Sequence, residues 1–320
     1  MTKWKIGLAA ASVALSTIGF SAAAQEYPAK AVELVIPWTP GSASDLAARM
    51  LAQHAEKTLG QPITPVNEVG GNGAVAWNRA AKARPDGYTI TMVTFDILTN
   101  QAMGAPLAYD SFDYLLQFSH QPMGIFVHKG SPYHTLQDLV TAAKGKPGQI
   151  KVATTSLGGI LHQAVHLVEK RYDVKFNVVP FKGTPEILAA TMGRHVDADV
   201  NTITLPSQHV KAGNLRMLLS FGEQRLPEYP DVPSIKELGI SQSGFESWRA
   251  IAIPKGVPAQ VRSKLEEAFR TAYNSPEFKQ MAQKANYDLQ YRTNDELKSF
   301  LAVQYPTVVQ TLTGLGYAKK

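Results

Sequence analysis

From residue 32 onward, short runs rich in β-branched and aromatic side chains alternate with longer stretches in which apolar residues recur every three or four positions. The first pattern is that of buried strands, the second that of amphipathic helices. Strands are expected over residues 32–37, 63–68, 88–94, 124–128, 151–154, 177–181, 196–200 and 215–220, with helices in most of the gaps. Such alternation predicts an α/β fold with mainly parallel sheets. The helix after the first strand shows how the reading works. Ser44 is placed to cap it, Asp45 sits in its electropositive first turn, and Leu46, Met50, Ala55 and Leu59 make an inward stripe that Gly60 ends. Later helices are expected over residues 258–273 and 293–312.

The first 24 residues do not fit this alternation. Lys3 and Lys5 precede an apolar stretch over residues 6–20, and small residues at Ala22 and Ala24 stand before an expected cleavage ahead of Gln25, the layout of a secretory signal peptide. The apolar run is short for a bilayer-spanning helix, which needs about 20 residues. The rest is expected to be a free periplasmic protein. There is no cysteine in the sequence, which excludes disulfides, thiolate metal sites, Cys nucleophiles and a lipidated-cysteine tether. The chain beyond the signal peptide is about as long as one hydrophobic core supports, so two lobes are expected. Lobe one would hold residues 25–121 plus 246–320 and lobe two residues 122–245, with hinges near 120–123 and 241–247.

The formal charge of +6 loses two units with Lys3 and Lys5. The remaining basic residues are dispersed, without a basic run or interleaved aromatics, which argues against nucleic-acid binding. A mild positive field still favours anionic ligands. Residues 37–49 mark where one would bind, because open α/β sheets hold ligands where a strand ends and a helix begins. Gly41 permits a tight turn, and the amides beyond it, with the hydroxyls of Ser42 and Ser44, can face an anion at the helix N-terminus. In isolation an ordinary capped turn looks the same. A second glycine loop comes at Gly70, Gly71, Asn72 and Gly73. Gly71, Gly73 and Ala76 also fit a dinucleotide-binding pattern, with Asp96 about 20 residues further on, but an exported protein meets little free nicotinamide cofactor.

Several further segments extend the pattern: Tyr27-Pro28, Ala48-Arg49, Pro85-Asp86-Gly87-Tyr88 and Pro180-Phe181-Lys182-Gly183. Later come residues 193–197, 212–216, 230–234 and 236–239, and Ser247-Trp248 running into Pro254. Each is weak alone; in this order they resemble the substrate-binding proteins of tripartite tricarboxylate transporters, the Bug family of periplasmic receptors. The resemblance implies a two-lobed, type II flytrap fold, no catalysis, no cofactor, and a carboxylate held largely by backbone amides and bridging water. Carried over, it points to Ser42, Ala43, Ser44 and Asp45 in the first loop and Gly71, Asn72 and Gly73 in the second. Lobe two would add the loop of Thr154, Thr155, Ser156, Leu157, Gly158 and Gly159, with His162, Asp199 and Asn201. Two residues depart from the family pattern. Ser42 replaces a second glycine, and Arg249 is bulkier and more charged than expected after Trp248. Arg249 either pairs with a ligand carboxylate in the cleft or belongs to a surface ion pair. Trp38 and Phe95, near the sheet's C-terminal edge, either wall the pocket or pack in the core.

Other chemistry finds little support. His162 and His166 have the spacing of two zinc ligands, but Gln163 stands where a metalloprotease needs glutamate and no third ligand motif appears, so no metal is expected. No G-x-S-x-G elbow is present. Asp197 and Asp199 alternate along a strand and face opposite sides, which does not suit an acid–base pair. The expectation is therefore a monomeric, non-enzymatic receptor. It would capture a small carboxylate, an aliphatic dicarboxylate or an aromatic carboxylate, between its lobes and deliver it to integral membrane transporter subunits. A sensing partner of a membrane signalling protein and an exported hydrolase are the alternatives.

Overall fold

The computed structural model describes residues 26–240 and 247–319. The expected signal peptide, and residues 241–246 of the second expected hinge, lie outside the described residues. The chain runs through β1 (Val32–Ile36), α1 (Ala43–Leu59), β2 (Ile63–Asn67), α2 (Ala74–Ala81), β3 (Thr89–Thr94), α3 (Asp96–Ala102) and β4 (Phe112–Gln121). Next come β5 (Met123–His128), α4 (Leu136–Gly145), β6 (Lys151–Thr154), α5 (Ile160–Tyr172), β7 (Asn177–Pro180), α6 (Thr184–Met192), β8 (Ala198–Thr202), α7 (Thr204–Lys211) and β9 (Leu215–Ser220). The last elements are β10 (Ser247–Pro254), α8 (Ala259–Asn274), α9 (Pro276–Lys284), β11 (Asp288–Arg292) and α10 (Asn294–Gly314).

These strands sort into two sheets, ordered β11-β4-β10-β3-β1-β2 and β7-β6-β8-β5-β9. The chain leaves the first sheet at Gln121 of β4 and enters the second at Met123 of β5, with Pro122 between them; it returns between Ser220 and Ser247. The architecture is thus two-lobed α/β, but both sheets are mixed. β1 runs parallel to β2 and β3, and β6 parallel to β7 and β8, as strand–helix alternation requires. The strands next to a crossing enter from the opposite end and run antiparallel: β10 against β3 and β4, and β5 against β8 and β9.

The helix α1 corrects two details of the sequence reading. Its cap is Ser42, not Ser44: the Ser42 hydroxyl accepts from the Asp45 N–H, and Ser42 has extended backbone. Its buried face is Ala43, Ala47, Ala48, Leu51, Ala52, Ala55 and Leu59, while Leu46 is 41% exposed. This mostly alanine face packs α1 closely against α8 and β2. Gly60 ends the helix as expected, at φ 75°.

A core of Leu34, Ile36, Leu51, Ile251, Phe269 and Phe278 lies between the first sheet and helices α1, α8 and α9. A second core crosses the lobe boundary. It joins Val93, Leu98, Trp248 and Leu301 of the first lobe to Leu139, Val152, Leu161 and Val165 of the second, so the lobes stand closed on one another. The segment after α10 strengthens this contact: Tyr317 packs edge-on against His162, with ring centroids 5.7 Å apart. Among the described residues no helix is long and apolar enough to cross a membrane.

Candidate functional site

A cavity of about 50 Å³ lies between the lobes, enough for a few water molecules. Lobe one supplies Ser42, Ala43 and Ser44 from the turn that starts α1, with Trp38 ahead of them, Thr94 from the end of β3 and Asp96 from the start of α3. Lobe two supplies Thr155, Ile160 and Leu161 from the β6–α5 junction, and Thr184 and Asn201 from α6 and β8. Ser247 and Arg249 of β10 complete the wall. The cavity therefore sits at the C-terminal ends of parallel strands and the N-terminal ends of helices, where an open α/β sheet presents free N–H groups.

Arg249 is the cationic side chain on this wall and is 1% exposed. Antiparallel pairing of β10 sets Arg249 opposite Thr94 of β3. Its Nε donates to Ser44 Oγ at 2.9 Å, while Nη1 has no hydrogen-bond partner among the described residues. No carboxylate among the described residues pairs with it, and burial lowers its pKa to about 10, so it remains protonated at neutral pH. A buried, uncompensated cation carries a desolvation penalty of several kcal/mol, on the order of that for other buried ions.

Asp96, the first residue of α3 and 5% exposed, is the acidic group on the wall. Its Oδ1 accepts from Asn72 Nδ2 at 3.1 Å and from the Ile160 N–H of lobe two at 3.2 Å. Its Oδ2 accepts from Thr94 Oγ1 at 3.3 Å. Burial raises its pKa, and these donors oppose the rise. Reading the sequence for anion sites passed over Asp96 except as a nucleotide contact. Its position two residues beyond β3, on the edge where ligands bind, was the usable signal.

Other sequence-expected residues stand behind the wall. Asp45 is 1% exposed, and its oxygens accept from the Gly41 N–H, Arg49 Nε and Asn67 Nδ2 at 2.8 to 2.9 Å. It holds the first loop in shape and is turned away from the cavity. The second loop is a single 3-10 turn over Gly71–Gly73, and none of its residues lines the cavity. Gly73 has φ 90°, and a Cβ there would lie 2.6 Å from the Trp77 ring, so this glycine is required by packing. Asn72 acts at one remove: its amide donates to Asp96, and its Oδ1 accepts from Ser156 Oγ of lobe two at 2.8 Å.

In lobe two, Thr155 lines the cavity and Ser156 spends its hydroxyl on Asn72. His162 Nδ1 accepts from the Gly158 N–H at 2.8 Å, and burial lowers its pKa to about 4. The imidazole is thus neutral and fixes the loop from behind, since the ring sits on the Tyr317 side of α5. Phe95 is a core residue. Asn201 lines the cavity and accepts from Thr184 Oγ1 at 3.0 Å, whereas Asp199, two residues earlier on β8, lies deeper and is bonded by Thr191 Oγ1 at 2.7 Å. Burial raises the pKa of Asp199 to about 7. No group of acidic, histidine or cysteine side chains among the described residues is arranged to hold a metal ion.

Comparison with known proteins places this geometry in context. The profile of the Tripartite tricarboxylate transporter family receptor matches residues 47–311. The UPF0065 protein in the gbd 5'region of Cupriavidus necator is 29% identical over 321 residues, 98% of this chain and 97% of the relative. The structure of the periplasmic binding protein BugD superposes with a TM-score of 0.84 at 24% identity, covering 92% of this chain and all of that one. MatC from Rhodopseudomonas palustris with bound malate superposes with a TM-score of 0.78 at 25% identity, covering 89% of this chain and 98% of that one.

Proposed function

Because the chain belongs to the tripartite tricarboxylate transporter family receptors, we propose that it takes a small carboxylate between its two lobes, which part to admit it, and delivers it to the membrane subunits of such a transporter. The family is one of periplasmic solute-binding receptors, and its role is capture. The observation that carries the carboxylate reading is Arg249. A guanidinium removed from water, with no acidic partner and no partner for Nη1 among the described residues, lines a cavity that Ser42 and Ser44 also line. A ligand carboxylate supplies the missing counter-charge in a bidentate or hydroxyl-assisted pair. The malate bound by the MatC neighbour is of the same chemical class. Closed lobes suit delivery, because closure buries the ligand and presents one composite surface to a membrane partner.

Isothermal titration of the protein against a panel of aliphatic and aromatic carboxylates tests the proposal. Saturable binding of at least one of them, lost in Arg249→Met, supports it. A blank across the panel contradicts it.

A further inference from the structure

We propose that this receptor selects acids with a single carboxylate and a largely apolar remainder, because the chain's own Asp96 already fills the second anion position of the cleft. The inference rests on the carboxylate reading above and narrows it. A cleft between two lobes offers anions two kinds of place: a cation or helix N-terminus on the near lobe, and another on the far lobe. In lobe one the place is free, between Arg249 Nη1 and the start of α1. In lobe two the comparable place is the start of α5, a helix of 13 residues with no acidic residue in its first turn and no side-chain cap of its own. There the Ile160 N–H is taken by Asp96 Oδ1, which reaches across from lobe one.

Asp96 is held in this role from both sides. Asn72 Nδ2 and Thr94 Oγ1 donate to it within lobe one, and Asn72 Oδ1 accepts from Ser156 of lobe two, so carboxylate, amide and hydroxyl form one chain across the closed cleft. A ligand's second carboxylate would have to displace this chain or lie beside Asp96, where like charges in a desolvated site repel. The cavity is also walled by Trp38, Ile160 and Leu161. Those surfaces suit a hydrocarbon or aromatic body.

The test is isothermal titration with straight-chain monocarboxylic acids and their α,ω-diacids, and with benzoate against terephthalate, on the wild-type protein, Asp96→Asn and Asp96→Gly. The monoacid of the best pair is expected to bind at least about tenfold more tightly than its diacid. Asp96→Asn removes the repelling charge and Asp96→Gly vacates the position, and each is expected to narrow that ratio by about tenfold or reverse it. Wild-type protein that binds a diacid as tightly as its monoacid overturns the inference, as do folded variants that keep the wild-type ratio. In both cases the carboxylate reading survives. Failure to bind any acid overturns both.

Discussion

Arg249 Nε and Ser44 Oγ lie 2.9 Å apart and join the antiparallel strand β10 to the first turn of α1. This bond aims the buried guanidinium at the helix start, so cation, hydroxyl and free N–H groups converge on the space where a carboxylate is proposed to sit.

Replacing this guanidinium separates binding from stability. Arg249→Met exchanges an unpaired buried charge for an apolar chain of similar length, which is expected to leave the free protein as stable as wild type or more stable by about 1–4 kcal/mol. Carboxylate affinity is expected to fall by about 2–5 kcal/mol, since truncating one partner of a buried charge pair has that effect. Thermal unfolding without ligand, together with titration, reads the two opposite signs.

Asp199 predicts the pH dependence of lobe two. Burial raises its pKa from 3.8 to about 7, so between those values the folded state binds more protons than the unfolded one. Stability from this group is present at the acid end of the window and is lost as pH rises to about 7. Asp96, also raised, adds the same sign. Asp199→Asn keeps the Thr191 partner and removes the titration. Its unfolding midpoint is expected to fall less steeply than that of wild type between about pH 4 and pH 7.

Gly73→Ala tests whether the second glycine loop is structural. A methyl group at φ 90°, pressed against Trp77, is expected to destabilise the protein by about 2 kcal/mol or more, measured by denaturant unfolding. Gly73 does not line the cavity, so protein that remains folded is expected to keep wild-type affinity.

The Ser156–Asn72 bond ties lobe two to lobe one. Ser156→Ala is expected to weaken ligand binding by about 0.5–1.5 kcal/mol, the net worth of one hydrogen bond, chiefly through faster dissociation. Stopped-flow release kinetics against titration of the same variant checks this.

Much of the fold is legible in the sequence, and the gaps have physical causes. The strands β6 and β9 match their expected spans to the residue, because each carries its buried apolar residues in a short segment bounded by turn or polar residues. The long strands β4 and β10 escape such a reading: β4 is buried along nearly its whole length, polar Gln117 and Ser119 included, so it shows neither alternation nor a clean apolar run. The first loop is recognisable as lining the site because its chemistry is local. Asp96 is not, since its role depends on Ile160 and Asn72, 64 and 24 positions away. The same limit applies to Asp45 and His162, whose residue types suggest ligand contact but whose carboxylate oxygens and Nδ1 are taken by Gly41, Arg49, Asn67 and Gly158.

A crystal structure of the protein with its tightest-binding acid tests the central claim most directly. The account predicts one ligand carboxylate within hydrogen-bond distance of Arg249 and the Ser42–Ser44 turn, enclosed by both lobes. A carboxylate bound elsewhere, with Arg249 still unpaired, would contradict it.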